Sequence, residues 1–465
     1  RRAAMPATLL EIAVPSILQA LCEWSRPLVL LHFVARSRDG ATDASASAGL
    51  ALTFFNCAVA YLSYGFAGAF DTLTSQAFGS GRRDLIAVDL RILLVMSLVF
   101  TVLTSTILLA IAMWLSPAIA PLDGVLVNQF LYILFPSVPA TIIWNMLTHW
   151  LRAQHRSGAI VVGVVFGASL NVLLNLWLPS LLAAATVQPL VSSVATPFLA
   201  LSIANTAMVV PVLAQTCVLW CELELGVGSK HPPSTSLGRL RKVLSLGMQG
   251  ILLTCGEIWA WEIQILFCSV LGPASIAAYT ISFNFYSFLV MVPVGLRTGL
   301  SAVIGFHIGR GSASEATKAL RHGLYYLAVV ATVYFVSMAF LGQEIACLFT
   351  ASPTVQSLVA TSLLVIAFYQ AFDGLYAVLV GALLGVGKQG TGASATLAFY
   401  VLGLPAAGLF AFLLRGGVPG LWLGMGMANI VVCLIVVRRV RAVSFADEVA
   451  SARAALLPNE EGCAP

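Results

Sequence analysis

The chain alternates long apolar stretches with short polar connections along almost its whole length. Twelve stretches are mostly apolar over about 20 residues or more, the length that a helix needs to cross a bilayer. They occupy residues 9–35, 48–77, 88–115, 124–151, 158–184, 193–221, 243–271, 275–308, 322–342, 355–385, 391–414 and 418–437. The pattern therefore predicts an all-α, polytopic membrane protein with twelve transmembrane helices.

The composition agrees with lipid as the main solvent. Of the 465 residues, 59% are hydrophobic and only 9% are charged, whereas soluble domains carry about a quarter of charged residues. A formal net charge of +5 gives no reason to expect a nucleic-acid partner. Most of the nine cysteines lie in apolar spans, where cysteine behaves as a small hydrophobe, so we expect neither disulfides nor a metal site.

Basic residues predict the orientation. With a cytoplasmic N-terminus, 19 of the 24 Lys and Arg residues fall in cytoplasmic segments and only Arg36, Arg38 and Arg415 in outer loops. The positive-inside rule then predicts that both termini are cytoplasmic. Residues 442–465 are expected to form a polar, mobile cytoplasmic tail. The membrane itself, plasma membrane or internal organelle, stays open.

A polar connection divides the chain into two halves. We predict an N-terminal lobe over residues 1–225 with helices one to six. A cytoplasmic linker over residues 226–242 follows, and a C-terminal lobe over residues 243–441 holds helices seven to twelve. Six helices per half give both halves the same orientation in the membrane.

The two halves also share short sequence patterns. Residues 65–81 overlay residues 295–311 at an offset of 230 positions, with matching glycines at both ends, and Asn205 recurs as Asn429 at an offset of 224. These offsets predict a parallel repeat. Halves of this kind commonly enclose a central site that opens alternately to the two sides.

Five acidic residues lie at membrane depth, namely Glu23, Asp71, Glu257, Glu262 and Asp373. A charge at the centre of a transmembrane helix costs roughly 2.5 to 3.5 kcal/mol by insertion scales, so each is a candidate functional residue. For Glu23 the simplest interpretation is structural. Arg26 follows it by three residues, and we expect the two to neutralise each other.

Two of these carboxylates lie in the seventh span, in GEIWAWEIQ. Glu257 and Trp261 are one helical turn apart and share a face, whereas Glu262 lies about 140° further around the helix. A carboxylate beside an aromatic face suits an organic cation through charge pairing and cation–π attraction. We expect Trp259 and Trp261 to line the substrate pocket beside Glu257. An interhelical hydrogen bond is the alternative role for either glutamate.

Asp373 lies near the middle of the tenth span, in QAFDGLYAV, with no basic residue in that span. Burial disfavours the charged form of a carboxyl group, so such a group can hold a proton and release it when a cation arrives. This exchange is the minimum requirement of a proton-coupled antiporter. We expect Tyr376 to line the same pocket. The alternative is a structural role near Gly374.

Five stretches, in this order, resemble the eukaryotic branch of the multidrug and toxic compound extrusion (MATE) family. They are GFAGAFDTLTSQAFGSG, FPSVPAT, GEIWAWEI, MVPVGL followed by GRGS, and QAFDGLYAVLVGALLGVGKQ. The resemblance covers essentially the whole chain. It implies two six-helix lobes, alternating access, and export of organic cations or other amphipathic compounds in exchange for protons or, in some bacterial members, Na⁺.

The resemblance also implies roles for individual residues. The coupling glutamate of the family matches Glu257, the second glutamate of that motif matches Glu262, and the acidic position of helix ten matches Asp373. Asn284 stands where many vertebrate members carry a glutamate, and we expect it to line the pocket. Bacterial members have an aspartate late in helix one, where this chain has the apolar residues 28–31. We therefore place the acidic site in the C-terminal lobe.

The expected function is a secondary antiporter that exports organic cations and xenobiotics in exchange for protons. An exporter of organic anions or secondary metabolites on the same fold is the main alternative. A lipid-linked oligosaccharide flippase is disfavoured because the spans hold five acids against two arginines, and a receptor or scaffold needs no duplicated core.

Enzyme motifs are absent from the sequence: it lacks a P-loop, a nucleophile elbow and a zinc-hydrolase helix. We therefore expect neither an enzyme nor a cofactor, with the proton gradient, rather than Na⁺, as the energy source. The expected partners are a small organic substrate, protons and the lipid bilayer, and the expected state is a monomer.

Overall fold

The computed structural model describes residues 9–35, 41–115, 124–184, 195–226, 233–349 and 352–456. Within these ranges the chain forms helices joined by short turns, and no strand occurs in them. The predicted all-α class is confirmed.

Most of the described chain belongs to seventeen α-helices. They are α1 (Leu9–Ala35), α2 (Ala41–Phe55), α3 (Tyr61–Gly79), α4 (Arg83–Ala110), α5 (Gly124–Leu134), α6 (Val138–Arg152), α7 (Gly158–Ala184), α8 (Thr196–Ala207), α9 (Val209–Gly226), α10 (Pro233–Leu271), α11 (Pro273–Arg310), α12 (Ala313–Phe349), α13 (Pro353–Gly385), α14 (Gln389–Ala398), α15 (Leu404–Gly408), α16 (Gly417–Arg441) and α17 (Phe445–Leu456). Short π-helical or 3₁₀ pieces extend or join some of them, at Asn56–Ala60, Ile111–Leu115, Phe135–Ser137, Phe399–Gly403 and Leu409–Leu413.

All twelve predicted spans coincide with helices. Within the described residues, ten helical stretches are long and apolar enough to cross a membrane. The other two predicted spans correspond to α1, with 27 residues, and α10, with 39 residues. A helix rises about 1.5 Å per residue and the hydrocarbon core is about 30 Å thick, so both are long enough to span it. The chain is a multi-pass membrane protein.

The end of the chain differs from the prediction of a mobile tail. Residues 445–456 form α17, which packs against α11 and α12. Ser444 caps the helix by accepting a hydrogen bond from the Asp447 N–H at 3.3 Å, and Glu448 forms an ion pair with Lys388 at 2.5 Å. The serine cap followed by acidic residues in the first turn is a helix start signal, which the polar composition of the segment obscured.

The chain divides into two compact units. The C-terminal unit contains Arg1–Ile17, Asp71–Arg82 and Ser245–Pro465, and the N-terminal unit contains Leu18–Phe70 and Arg83–Leu244. Helices α1, α3 and α10 therefore each contribute residues to both units.

A buried ion pair joins α4 to the first turns of α10 within the N-terminal unit. Arg239 Nε and Nη2 donate to the two carboxylate oxygens of Asp89, both at 2.7 Å. Asp89 is fully buried and Arg239 nearly so. A two-pronged pair of this geometry compensates much of the cost of removing both charges from water.

The ends of α3 and α11 show the internal repeat in atomic detail. Gly81 and Gly311 follow these helices with φ of 74° and 85°, a left-handed conformation that glycine adopts without strain. In both caps the glycine N–H donates to the carbonyl three residues back, and the next N–H donates to the carbonyl five residues back. The two caps lie 230 positions apart, which is the offset found in the sequence.

Helices α3 and α11 also cross each other closely within the C-terminal unit. A Cβ atom on Gly79 would collide with the Phe306 carbonyl, and one on Gly309 would collide with the Gln76 carbonyl. Gln76 and Phe306, like Gly79 and Gly309, lie 230 positions apart. The contact is therefore reciprocal, as expected between two copies of one duplicated helix.

Candidate functional site

The carboxylate of Asp373 lies among hydrogen-bond donors from three helices of the C-terminal unit. Tyr286 on α11 donates its hydroxyl to Oδ2 at 3.0 Å, and Tyr369, one turn earlier on α13, donates to Oδ1 at 3.2 Å. The side-chain amide of Asn429 on α16 approaches Oδ1 at 3.5 Å. Asp373 is half-buried. Its position is thus fixed by protein groups while part of the side chain stays accessible.

A group of aromatic rings adjoins this carboxylate. Trp261 on α10 lies 5.0 Å from Tyr286, 5.9 Å from Tyr369 and 5.5 Å from Trp422 between ring centroids. The aromatic cluster comprises Trp261, Tyr279, Phe283, Tyr286, Tyr369, Phe399 and Trp422. Two members of this cluster bond to Asp373, so the carboxylate lies at its edge. Ring faces beside a carboxylate attract an organic cation through two electrostatic effects at once.

Glu257, the other carboxylate predicted for the site, lies on α10, which packs against α14. Tyr400 donates its hydroxyl to the carbonyl of Gly256 at 2.5 Å. A Cβ atom on Gly256 would lie only 2.7 Å from the side chain of Thr396, so a larger residue would push the helices apart. The Thr396 hydroxyl is in turn bonded to that of Tyr376 at 3.0 Å. The backbone before Glu257 is therefore held through Thr396 to the helix that carries Asp373.

The structure places some of the predicted site residues together. Asp373 and Trp261 share the neighbours Tyr286 and Tyr369. Tyr376 is buried one turn beyond Asp373, but its hydroxyl turns to α14. Asn284 is exposed on α11, and its place in a pocket stays a prediction. Three predicted residues belong to the helical backbone of α10, but their side chains lie outside the described part of the structure: Glu257, Trp259 and Glu262.

Sequence reasoning missed four residues of this site. Tyr369 could have been found, because it lies four residues before Asp373 and so shares its helix face. Asn429 was visible as the repeat partner of Asn205, although the sequence alone gave it no role. Tyr286 and Trp422 carry no local signal, because their helices meet α13 only in the folded chain.

A second polar centre lies in the N-terminal unit around Arg26. Arg26 Nη1 donates to the Asn205 side-chain oxygen at 2.5 Å and contacts Met208 Sδ at 2.9 Å. The Asn171 side-chain amide donates to the Arg26 carbonyl at 3.2 Å. With 8% of its surface exposed, Arg26 is a buried cation inside a membrane helix.

Glu23 has partners of its own. Its Oε1 atom accepts hydrogen bonds from Trp144 Nε1 at 2.6 Å and from Gln19 Nε2 at 2.9 Å. Within the described residues its carboxylate makes no ion pair with Arg26. The two side chains therefore do not pair directly, and the mutual neutralisation of their charges stays a prediction. The i, i+3 spacing brings them near each other, but donors from other helices orient each one separately.

The comparisons with known proteins identify the family. A family model described as MatE matches residues 15–177 and 251–409, more than half of the chain. The chain belongs to the MatE family. Multidrug and toxin extrusion protein 1 of Xenopus tropicalis is 27% identical to this MatE chain over 446 residues, which are 93% of this chain and 74% of that protein. The type 2 protein of Oryctolagus cuniculus is 27% identical over 388 residues, 82% of this chain and 62% of that protein. This chain thus spans between 62% and 74% of the length of these two relatives.

Solved structures show the same fold. The crystal structure of the eukaryotic MATE transporter AtDTX14 superposes on this MatE chain with a TM-score of 0.82 at 20% identity, covering 97% of this chain and 98% of that one. A MOP superfamily transporter from Pyrococcus furiosus gives a TM-score of 0.78 at 15% identity, with 96% of both chains covered. These likenesses, at low identity, establish the twelve-helix, two-lobe fold.

Proposed function

We propose that this MatE chain is a multidrug efflux transporter that exports organic cations in exchange for protons. The half-buried Asp373 carboxylate at the edge of the aromatic cluster carries the proposal. Negative charge and ring faces together match a bulky organic cation, which needs both charge compensation and apolar contact. Membership of the MatE family and the names of its relatives support the efflux role.

Coupling follows from competition at one carboxylate. Asp373 accepts either a proton or the charge of a cationic substrate, and one excludes the other. A proton from the outer side loads Asp373; after the site reorients, a cation from the cytoplasm displaces that proton. The hydroxyls of Tyr286 and Tyr369 stabilise the charged carboxylate between these two states. Differential binding of proton and cation to the two orientations then drives transport.

Glu257 is the second carboxylate of this proposed mechanism. It lies one helical turn before Trp261 on α10. The preceding residue, Gly256, packs against Thr396 of α14 and accepts a hydrogen bond from Tyr400 in the π-helical piece that follows. We assign Glu262 and Trp259 a supporting place on the same helix, and Asn284 a place on the cavity wall from α11. The basic residues place both termini in the cytoplasm in this scheme.

The test is exchange in proteoliposomes that contain the purified protein. Uptake of labelled tetraethylammonium is measured with an acidic lumen, and again with a Na⁺ gradient in place of the proton gradient. Asp373→Asn and Glu257→Gln are expected to abolish proton-driven uptake, because neither amide can exchange a proton. Glu344→Gln removes an exposed acid on α12 and serves as the matched control, with uptake unchanged.

Two results would overturn the proposal. Full proton-driven uptake by Asp373→Asn would remove this carboxylate from the mechanism. Uptake that depends on the Na⁺ gradient and not on the proton gradient would show that Na⁺, rather than the proton, is the coupling ion.

A further inference from the structure

Arg26 has a hydrogen-bond donor without a partner in the described structure. Its Nε–H is buried and makes no hydrogen bond, although Nη1 is engaged by Asn205. A guanidinium carries five donors in a planar fork and keeps its charge at any physiological pH. Burying such a group is costly unless it is paired and fully hydrogen-bonded. One edge of the Arg26 fork therefore lacks the acceptor that its burial calls for.

Among the described residues, the groups hydrogen-bonded to Arg26 are the amides of Asn205 and Asn171 and the sulfur of Met208. Asn171, Asn175 and Asn205 are all more than nine-tenths buried on α7 and α8. Asn175 donates to the Asn171 carbonyl at 2.7 Å, while its own side-chain oxygen has no hydrogen-bond partner among the described residues. Three buried amides and one guanidinium form a polar site in an otherwise apolar helical bundle. Such sites within a membrane are functional candidates.

The nearest carboxylate does not fill the empty edge. Glu23 lies one turn before Arg26, but its Oε1 atom is bonded to Trp144 and Gln19. Gln19 also accepts a hydrogen bond from the buried Arg152 at 2.6 Å, so it links Glu23 to a second arginine. The Nε donor of Arg26 therefore stays available to an acceptor from outside the protein.

The internal repeat sharpens this point. Asn205 on α8 and Asn429 on α16 are the repeat-related residues found in the sequence. Asn429 points its amide towards the carboxylate of Asp373, whereas Asn205 points its carbonyl oxygen to the guanidinium of Arg26. Equivalent asparagines thus serve opposite charges. The centre in the N-terminal unit has the polarity for an anion, and the centre in the C-terminal unit has the polarity for a cation.

We infer that Arg26, together with Asn205 and Asn171, forms a binding site for the carboxylate or sulfonate group of an organic anion. The anion lies against the Nε edge of Arg26, where a planar carboxylate can accept two parallel hydrogen bonds. The site is separate from Asp373 and does not depend on proton exchange there. It extends the substrate range of the protein to organic anions and to zwitterions.

The test is equilibrium binding of labelled 2-naphthoate to the purified protein in nanodiscs of phosphatidylcholine. Binding is expected to be saturable and to be displaced by unlabelled 2-naphthoate but not by 2-naphthamide, a neutral compound of the same shape. Arg26→Gln is expected to weaken the affinity about tenfold or more, since it removes a charge-assisted pair. Arg26→Lys keeps the charge but lacks the planar fork, so its affinity for 2-naphthoate should lie between those of the unchanged protein and Arg26→Gln.

Two further variants separate this role from a purely structural one. Asn205→Asp supplies Arg26 with an internal carboxylate, so it should stabilise the fold and still abolish 2-naphthoate binding. Asp373→Asn should leave 2-naphthoate binding intact. Binding of tetraphenylphosphonium reports whether the Arg26 and Asn205 variants are folded, and thermal unfolding reports it for Asp373→Asn.

Three outcomes would overturn the inference. One is the absence of saturable 2-naphthoate binding to the unchanged protein. Another is equal displacement by the neutral amide. The third is unchanged affinity in Asn205→Asp or in a folded Arg26→Gln. Repeating the measurement with the anionic lipid phosphatidylglycerol in the nanodisc tests an anionic lipid headgroup as the occupant. Competition by that lipid, with no saturable 2-naphthoate binding in phosphatidylcholine, would also contradict the inference.

Discussion

The two units solve the problem of buried charge in opposite ways. In the C-terminal unit, Asp373 is surrounded by donors, two tyrosine hydroxyls and the amide of Asn429. In the N-terminal unit, Arg26 is surrounded by amides, and the repeat-related Asn205 offers it an acceptor. The repeat places an asparagine in each unit, Asn205 and Asn429. The charged residue on a neighbouring helix determines whether the asparagine presents its oxygen or its amide. Pocket charge can therefore diverge between the halves while the helical scaffold stays the same.

The largest expected effect comes from comparing two buried arginines of the N-terminal unit. Arg239 has the carboxylate of Asp89 at 2.7 Å, whereas Arg26 has only neutral hydrogen-bond partners. Asp89→Ala strands a buried cation and should reduce the free energy of unfolding by about 3–5 kcal/mol. Arg26→Met removes a charge that has no ion pair to lose, so it should cost much less. Thermal unfolding in detergent, followed by tryptophan fluorescence, ranks the two.

An equal loss of stability in both variants would show that Arg26 is already compensated within the fold. The comparison between the two arginines would then fail, and with it the argument that Arg26 needs an external acceptor.

A second prediction exchanges the charge at the repeat-related asparagines. Asn205→Asp places a carboxylate against Arg26 and should raise the unfolding midpoint, whereas Asn429→Asp places a second carboxylate beside Asp373 and should lower it. Each substitution is expected to change the free energy of unfolding by about 1–3 kcal/mol, the size of the effect of a buried hydrogen bond to a charged group. The same thermal unfolding assay measures both. Shifts of the same sign would contradict the opposite polarity of the two centres.

A smaller effect is expected from the aromatic cluster. Trp261→Leu keeps an apolar side chain but removes a ring face, so affinity for tetraphenylphosphonium should fall by about 0.5–2 kcal/mol. Affinity for 2-naphthoate should not change, because Trp261 belongs to the other unit. Titration of both ligands in nanodiscs measures the difference. Equal losses for the two ligands would indicate a general disturbance of the fold.

The smallest effect is expected at the surface. Lys388 and Glu448 tie α17 to the turn before α14, but Lys388 is 40% exposed. Solvent screens such a pair, so Lys388→Ala should change stability by about 1 kcal/mol or less. A double-mutant cycle with Glu448→Ala gives the coupling energy. A coupling energy as large as that of the buried Asp89–Arg239 pair would mean that solvent exposure does not determine how much each ion pair contributes to stability.

The sequence predicted the scaffold better than the pockets. Apolar runs of membrane length mark helices because lipid leaves the backbone no other partner than itself. The sequence singled out Asp373 and Trp261 as candidates for a similar reason, since a carboxylate and a tryptophan are conspicuous in an apolar helix; their role in a site stays a prediction. Tyr286 and Trp422 were not, because tertiary packing alone brings them to Asp373.

Helical spacing predicted that Glu23 and Arg26 lie near each other, but it did not reveal their hydrogen-bond partners. The two residues are three positions apart, a spacing that favours mutual neutralisation of their charges. In the folded chain Trp144 takes the carboxylate and Asn205 takes the guanidinium. Local spacing gives proximity, but the hydrogen-bond partners come from neighbouring helices that the spacing does not reveal.

In the proposed mechanism Asp373 exchanges a proton for a cation, and Arg26 takes no part in this exchange. Proton release from the purified protein on addition of tetraphenylphosphonium, recorded with a pH indicator in weak buffer, tests it most directly. We expect release by the unchanged protein and by Arg26→Gln, and none by Asp373→Asn; addition of 2-naphthoate should release no protons. Undiminished release by Asp373→Asn would contradict it.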